Sequence, residues 1–180
     1  MASSKQVGAP SNHLERLPPE AGSKMMQLAD VLNVDRVLAE MHATSKKEAL
    51  AELAALIAGP REELRGEVRR VLAEREKLAS TAIGDEVAIP HGKLNAIGSL
   101  VLAIGRCKQG LDFESVDGKP TRLFFALVAP ENATGPHLKA LARISRLCKE
   151  PMFRSSLLAS ADAKEMFEVL CGEDAKLRAQ

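Results

Sequence analysis

Apolar positions along the chain fall into three blocks of different period. Over residues 45–58, Leu50, Leu53, Leu56 and Ile57 recur at helical spacing. Ser45 with Glu48 forms a capping box there, and Gly59 ends the run. Pro60 opens a second helix, with Glu62 and Glu63 in its first turn and Leu64, Val68, Val71 and Leu72 on one face. Ahead of both, Asp35 to Met41 suits a short strand, although Leu38-Ala39-Glu40 fits a helix equally. The period then drops to two. Residues 80–83 and 86–89 read as strands about a Gly84-Asp85 turn, which would set Thr81 and Ala88 roughly opposite each other. Residues 100–104 and 123–128 are nearly continuous apolar runs, as expected of strands covered on both faces. Asp117-Gly118 marks a turn between residues 113–116 and the second run.

Helical spacing returns in the last third. Residues 136–149 place Leu138, Leu141, Ile144 and Cys148 on one face, and Pro151 opens a short helix. Asp162 with Glu165 caps a final one ending near Gly172. Helices before and after a central set of strands predict a single α/β domain, a mixed central β-sheet flanked by helices on both faces. Residues 1–24 are rich in Ser, Gly, Pro and charge, and no apolar core follows a basic start. They read as a flexible leader rather than a secretory signal, with His13 inert within it. The domain is expected over residues 25–172, with a polar tail at 173–180.

Composition narrows the partners. With 25 basic and 24 acidic residues there is no global basic field to hold nucleic acid. Five Phe and no Tyr or Trp leave few platforms for stacking bases. No apolar stretch approaches the roughly 20 residues needed to insert into a membrane, so a cytoplasmic protein is expected. Cys107, Cys148 and Cys171 are widely spaced, without a CxxC pair or zinc-ligand spacing. They read as small buried hydrophobes in a reducing compartment.

Candidate chemistry gathers on His91, held between Pro90 and Gly92 at the end of an alternating run. A phosphate-accepting imidazole must be neutral near pH 7 and exposed at an element end, with donors around it for the phosphoryl oxygens. Gly92 permits close backbone approach. Ser80 and Thr81 offer hydroxyls in the strand that precedes the turn to His91, and Arg75 ends the helix before it. His137 follows Thr134-Gly135-Pro136, with Pro136 expected at the first helical position. In such a first turn the helix dipole disfavours an imidazolium and welcomes anions. His42 belongs to a strand-to-helix turn. The two histidines beyond strand ends could meet over one sheet edge.

The run from Glu74 to Gly84, continued by Val87-Ala88-Ile89-Pro90-His91-Gly92-Lys93, resembles the active-site signature of the fructose/mannitol type of enzyme IIA in the phosphoenolpyruvate-dependent phosphotransferase system. The resemblance spans residues from about 26 to 172. It takes in Leu111-Asp112-Phe113, Asp117-Gly118-Lys119-Pro120, the run 123–128 and Pro136-His137-Leu138. It implies that His91 is the phosphoryl-accepting nucleophile, served by a phosphorylated HPr-like carrier. Arg75 would neutralise phosphate charge, His137 would orient the phosphoryl group, and Ser80 and Thr81 would support it. No metal or organic cofactor is implied. A chain without a IIB-like or membrane segment looks more like the nitrogen-regulatory enzyme IIA, whose phosphorylation controls partner binding. A sugar-transport component passing phosphate to a IIB domain is the alternative, as is an interaction module working by binding alone. A histidine metal site is the weakest reading, because His91 and His137 have no evident third ligand.

Overall fold

A computed structural model describes residues 26–177; the expected leader, His13 and the last three residues lie outside them. After a 3₁₀ turn at Leu28–Asp30 come β1 (Leu32–Leu38), α1 (Lys46–Ala58) and α2 (Arg65–Leu78), the last preceded by a 3₁₀ turn at Glu62–Leu64. Then follow β2 (Ala82–Gly84), β3 (Val87–Ala88), β4 (His91–Lys93), β5 (Val101–Leu111) and β6 (Thr121–Ala129). Three helices complete the chain: α3 (Thr134–Cys148), α4 (Pro151–Ala159) and α5 (Ala163–Lys176). The strands form one sheet in the order β1-β5-β6-β3-β2, with β4 also pairing β6. β1 runs parallel to β5, and β3 and β4 run parallel to β6. The β5–β6 and β2–β3 pairs are antiparallel, so the sheet is mixed, as expected.

Each face of the sheet carries its own core, and the alternation along β5 and β6 explains why. Ala103, Phe124, Ala126 and Val128 face α1 and α2, packing with Leu53, Ile57, Val68 and Leu72. Leu102, Ile104, Leu123, Phe125 and Leu127 face α3, α4 and α5, meeting Ile144, Phe153, Leu157, Met166 and Leu170. Apolar side chains on both faces make these central strands read as continuous hydrophobic runs.

β3 and β4 keep one register along β6. Val87 and Ala88 lie opposite Leu123 and Phe124, and His91, Gly92 and Lys93 lie opposite Leu127, Val128 and Ala129. They are one parallel run broken at Ile89-Pro90. Proline has no N–H to give the ladder, although its carbonyl still accepts from the Leu127 amide at 2.9 Å.

Several boundaries differ from the sequence expectation, each for a local reason. The β2–β3 turn is Asp85-Glu86, both with positive φ, and not Gly84-Asp85. Ala82 therefore opposes Ala88 in place of Thr81. β1 starts at Leu32, earlier than expected, because this sheet-edge strand exposes Asn33, Val34 and Asp35 in succession and shows no clean alternation. β5 runs on to Leu111 through Arg106, a polar residue that the apolar pattern could not extend across. α3 is capped at Ala133, so Pro136 is not its first residue. Its buried stripe is His137, Ala140, Ile144, Leu147 and Cys148. Leu138 falls one position out of that phase and is 61% exposed. α5 passes Gly172 and runs to Lys176, because Asp174 is buried, accepting from the Leu28 amide at 2.8 Å and pairing with Arg143.

Arg106 is itself a fixture of the fold. Its fully buried guanidinium donates to the carbonyls of Ala39, Leu157 and Ser160 at 2.9, 2.9 and 2.6 Å. It thereby closes the C-terminal end of α4 against β5.

Candidate functional site

The break at Ile89-Pro90 sets the imidazole of His91. The Ile89 amide donates to the Thr81 carbonyl at 2.9 Å, which leaves the Ile89 carbonyl turned toward the His91 ring. That carbonyl lies 2.8 Å from Nδ1. A carbonyl only accepts, so Nδ1 carries the proton and Nε2 keeps its lone pair. Burial pushes the His91 pKa below its ordinary value, and the Arg75 cation adds to the effect; the Ile89 carbonyl and the Glu76 carboxylate pull the other way. The net result is a neutral ring at pH 7.

His137 stands beside it, with ring centroids 5.6 Å apart and planes tilted by 60°. Its backbone N–H is taken by the Ala133 carbonyl at 2.9 Å, so the first turn of α3 presents the ring and not this amide. Burial, then the His91 and Lys93 charges, push its pKa down to about 4. Its Nε2 is buried and has no hydrogen-bond partner among the described residues. Lys93, beside Gly92 on β4, donates to the Thr134 hydroxyl at 2.7 Å and so ties the start of α3 to the strand that carries His91.

The other expected site residues fall close by but divide their tasks. Arg75, in the last turn of α2, caps that helix by donating to the Ala79 carbonyl at 3.0 Å, and its charge is felt at His91. Ser80 donates its hydroxyl proton to the Phe113 carbonyl at 2.7 Å. Thr81 gives its own to the buried carboxylate of Glu76, which also accepts from the Thr81 amide at 3.0 Å. Both hydroxyl protons are thus committed within the fold. Gly92 is closely packed: a Cβ there would lie 3.3 Å from the Val71 backbone carbon and 3.1 Å from its side chain, so α2 would have to give by a few tenths of an ångström. The close approach is that of α2.

Sequence reasoning singled out neither Glu76 nor Lys46. Glu76 is 6% exposed and also pairs with Lys46 at 2.9 Å. Lys46 reaches Glu114 as well and lies 4.8 Å over the Phe113 ring. Burial works against its charge, but the hydrogen bonds to Glu114 and Glu76 prevail and hold its pKa above the ordinary lysine value. The available signal was an acidic residue in the last turn of a helix, where a carboxylate is unfavourable unless something holds it. Among the described residues no three His, Cys, Asp or Glu gather as metal ligands, and no helix is long and apolar enough to cross a membrane.

Fold and site define a class: a three-layer α/β/α domain that sets two neutral imidazoles together at a sheet edge, one with an open ring nitrogen. Residues 30–172 match the family described as phosphoenolpyruvate-dependent sugar phosphotransferase system, EIIA 2. A nitrogen regulatory protein of Bradyrhizobium diazoefficiens is 44% identical over 149 residues, covering 81% of this chain and 95% of that one. The fructose-specific EIIABC component of Bacillus subtilis is 30% identical over 151 residues, which cover 83% of this chain and 24% of that protein. The crystal structure of the nitrogen regulatory protein IIA-Ntr from Neisseria meningitidis superposes with a TM-score of 0.75 at 33% identity, covering 79% of this chain and 98% of that one. This chain belongs to the EIIA type 2 family of the phosphotransferase system.

Proposed function

We propose that the protein is a histidine phosphocarrier in which His91 Nε2 accepts a phosphoryl group from the phosphohistidine of an HPr-like carrier. The observation that carries this reading is the closeness of the two rings, 5.6 Å between centroids, with Nδ1 of His91 bonded to a carbonyl and Nε2 of His137 buried without a partner among the described residues. A buried polar nitrogen without a partner costs free energy. A phosphoryl oxygen on His91 would satisfy it, with His137 donating as a neutral imidazole. As the Nε2–P bond forms, the donor's N–P bond breaks and its electron pair returns to the donor imidazole. The His91 proton stays on Nδ1 throughout, donated to the Ile89 carbonyl, so no proton crosses the interface. The guanidinium of Arg75 supplies charge opposite the phosphoryl oxygens. Ser80 and Thr81 support the site by holding the turn below it.

The test is incubation with labelled phosphoenolpyruvate, enzyme I and the carrier, followed by a search for acid-labile phosphate. Stoichiometric label in the wild type and none in His91→Ala is expected; full labelling of His91→Ala would refute the assignment.

The phosphoryl group has two candidate uses. The regulatory one, phosphorylation-dependent binding of cytoplasmic partner proteins, is favoured by the nitrogen regulatory relative, which matches over nearly its whole length. Transport, with onward transfer to a IIB domain, is favoured by the fructose-specific relative. Phosphoryl transfer from the labelled protein to an isolated IIB domain would establish transport. Pull-downs with wild type, His91→Ala and His91→Asp that captured a partner in one state alone would establish regulation. Capture indifferent to all three would leave an interaction module that does not use the site.

A further inference from the structure

α2 turns two opposite faces to two different places. Val68, Val71, Leu72 and Arg75 share the face toward the sheet and His91. Gly66, Arg69, Arg70, Ala73 and Lys77 share the other, which forms one wall of a cleft of about 570 Å³; Lys46, Lys47 and Leu50 of α1 form the facing wall. Glu76 stands on the boundary between the faces, lining the cleft and also holding Thr81.

The cleft has the size of a small-molecule site. Leu50 and Ala73 form an apolar floor, and Gly66 borders open space, since among the described residues nothing lies within 4 Å of where its Cβ would stand. Five cations line it against the two carboxylates of Glu76 and Glu114. Lys46 is engaged by those two and Arg70 by Glu74, but Lys47, Arg69 and Lys77 form no ion pair among the described residues. An arginine fork with flanking lysines suits phosphate oxygens, and the floor suits an apolar or aromatic body.

We propose that this cleft binds a small organic phosphate with an apolar body, and that its occupancy is relayed to His91 through Lys46, Glu76 and Thr81. The path is continuous. Lys46 meets Glu76 at 2.9 Å and Glu76 holds Thr81. The Thr81 carbonyl accepts from the Ile89 amide at 2.9 Å, and the Ile89 carbonyl lies 2.8 Å from His91 Nδ1. Phosphate competing for Lys46 leaves the Glu76 charge less neutralised. The charged and titratable groups that face His91 are Arg75 and Glu76 from α2 and His137 from α3, with Lys93 nearby on β4. Of these only Glu76 touches the cleft, so binding raises the His91 pKa and favours the phosphorylated ring, whose Nδ1 is protonated. This regulatory consequence rests on the proposed role of His91; the binding itself does not.

The test is an NMR titration of the full chain with ADP, using pyrophosphate and adenosine as half-probes. Saturable amide shifts at Leu50, Gly66 and Ala73 are expected, at least tenfold weaker in affinity for either half-probe and for Lys47→Ala/Arg69→Ala. The histidine ring signals should show the His91 pKa rising on binding in the wild type but not in Glu76→Gln. Absence of saturable shifts with ADP, or shifts unaltered in the double variant, would overturn the site. Binding with an unmoved His91 titration would overturn the relay. Labelling of His91 by the carrier, measured in parallel without ADP, reports separately on the phosphocarrier reading.

Discussion

Glu76 and His137 set the character of His91 from opposite sides. Exchange of Glu76 for Gln keeps the shape and one accepting oxygen but removes the charge that raises the His91 pKa. The His91 titration, followed by ring-proton NMR, is expected to move to lower pH in Glu76→Gln, and an unchanged midpoint would exclude the coupling. On the proposed phosphocarrier reading, a phosphorylated ring protonated at Nδ1 loses the same support, so equilibrium labelling by the carrier should fall as well. His137 bears on stability. Its pKa lies near 4 against an ordinary 6.5, so the folded state binds fewer protons than the unfolded state between those values. Its contribution is complete above about pH 6.5 and is lost as pH falls toward 4, amounting to on the order of 3 kcal/mol at most. Urea unfolding at pH 7.5, 6 and 4.5 should show that loss in the wild type and a smaller one in His137→Gln.

Among the elements, the three-residue β4 depends on its contact with α2. Gly92→Ala would drive a methyl against Val71 and its backbone. It should destabilise the fold by about 1–3 kcal/mol, the usual cost of overpacking, and slow phosphorylation by shifting the His91 strand; normal melting and labelling would show that the strand has room to move. The apolar runs of β5 and β6 and the stripes of α1 and α2 were legible in the sequence because each obeys one period. The Asp85-Glu86 turn was not, since positive φ at two non-glycine residues is enforced from outside; the Asp85 amide donates to the Asp117 carboxylate at 2.9 Å. Leu138 was misplaced because leucines were used to set the phase of α3, where a histidine and an alanine hold the buried stripe. His91, His137 and Arg75 were singled out by local motif and family resemblance, and the fold brings them together: the two rings are neighbours and the Arg75 charge acts at His91. Glu76 and Lys46 escaped because their pairing joins residues 30 apart on different helices.

For the molecule as a whole, charge is the quantity that the proposed phosphorylation would change most. The chain carries a formal net charge of +1, and a phosphoryl group adds close to two negative charges, so the sign reverses. Native electrophoresis should resolve the two forms, with the phosphorylated one nearer the anode and His91→Ala unshifted after the same treatment. If the field at His91 governs recognition, the difference in partner affinity between the two states should narrow as salt rises; a salt-independent difference would point to a change of shape.

The parallel run along β6 also orders events in time. Leu127 and its partner His91 are joined across a long stretch of chain that includes all of β5. The β5–β6 antiparallel pair can close first, and the parallel run docks only after the longer loop has been brought together. Until it docks, Ile89 cannot aim its carbonyl at His91 Nδ1. On the proposed function, capacity to take up phosphate would serve as a clock for refolding, and in a dilution experiment it should return later than the far-ultraviolet circular dichroism signal.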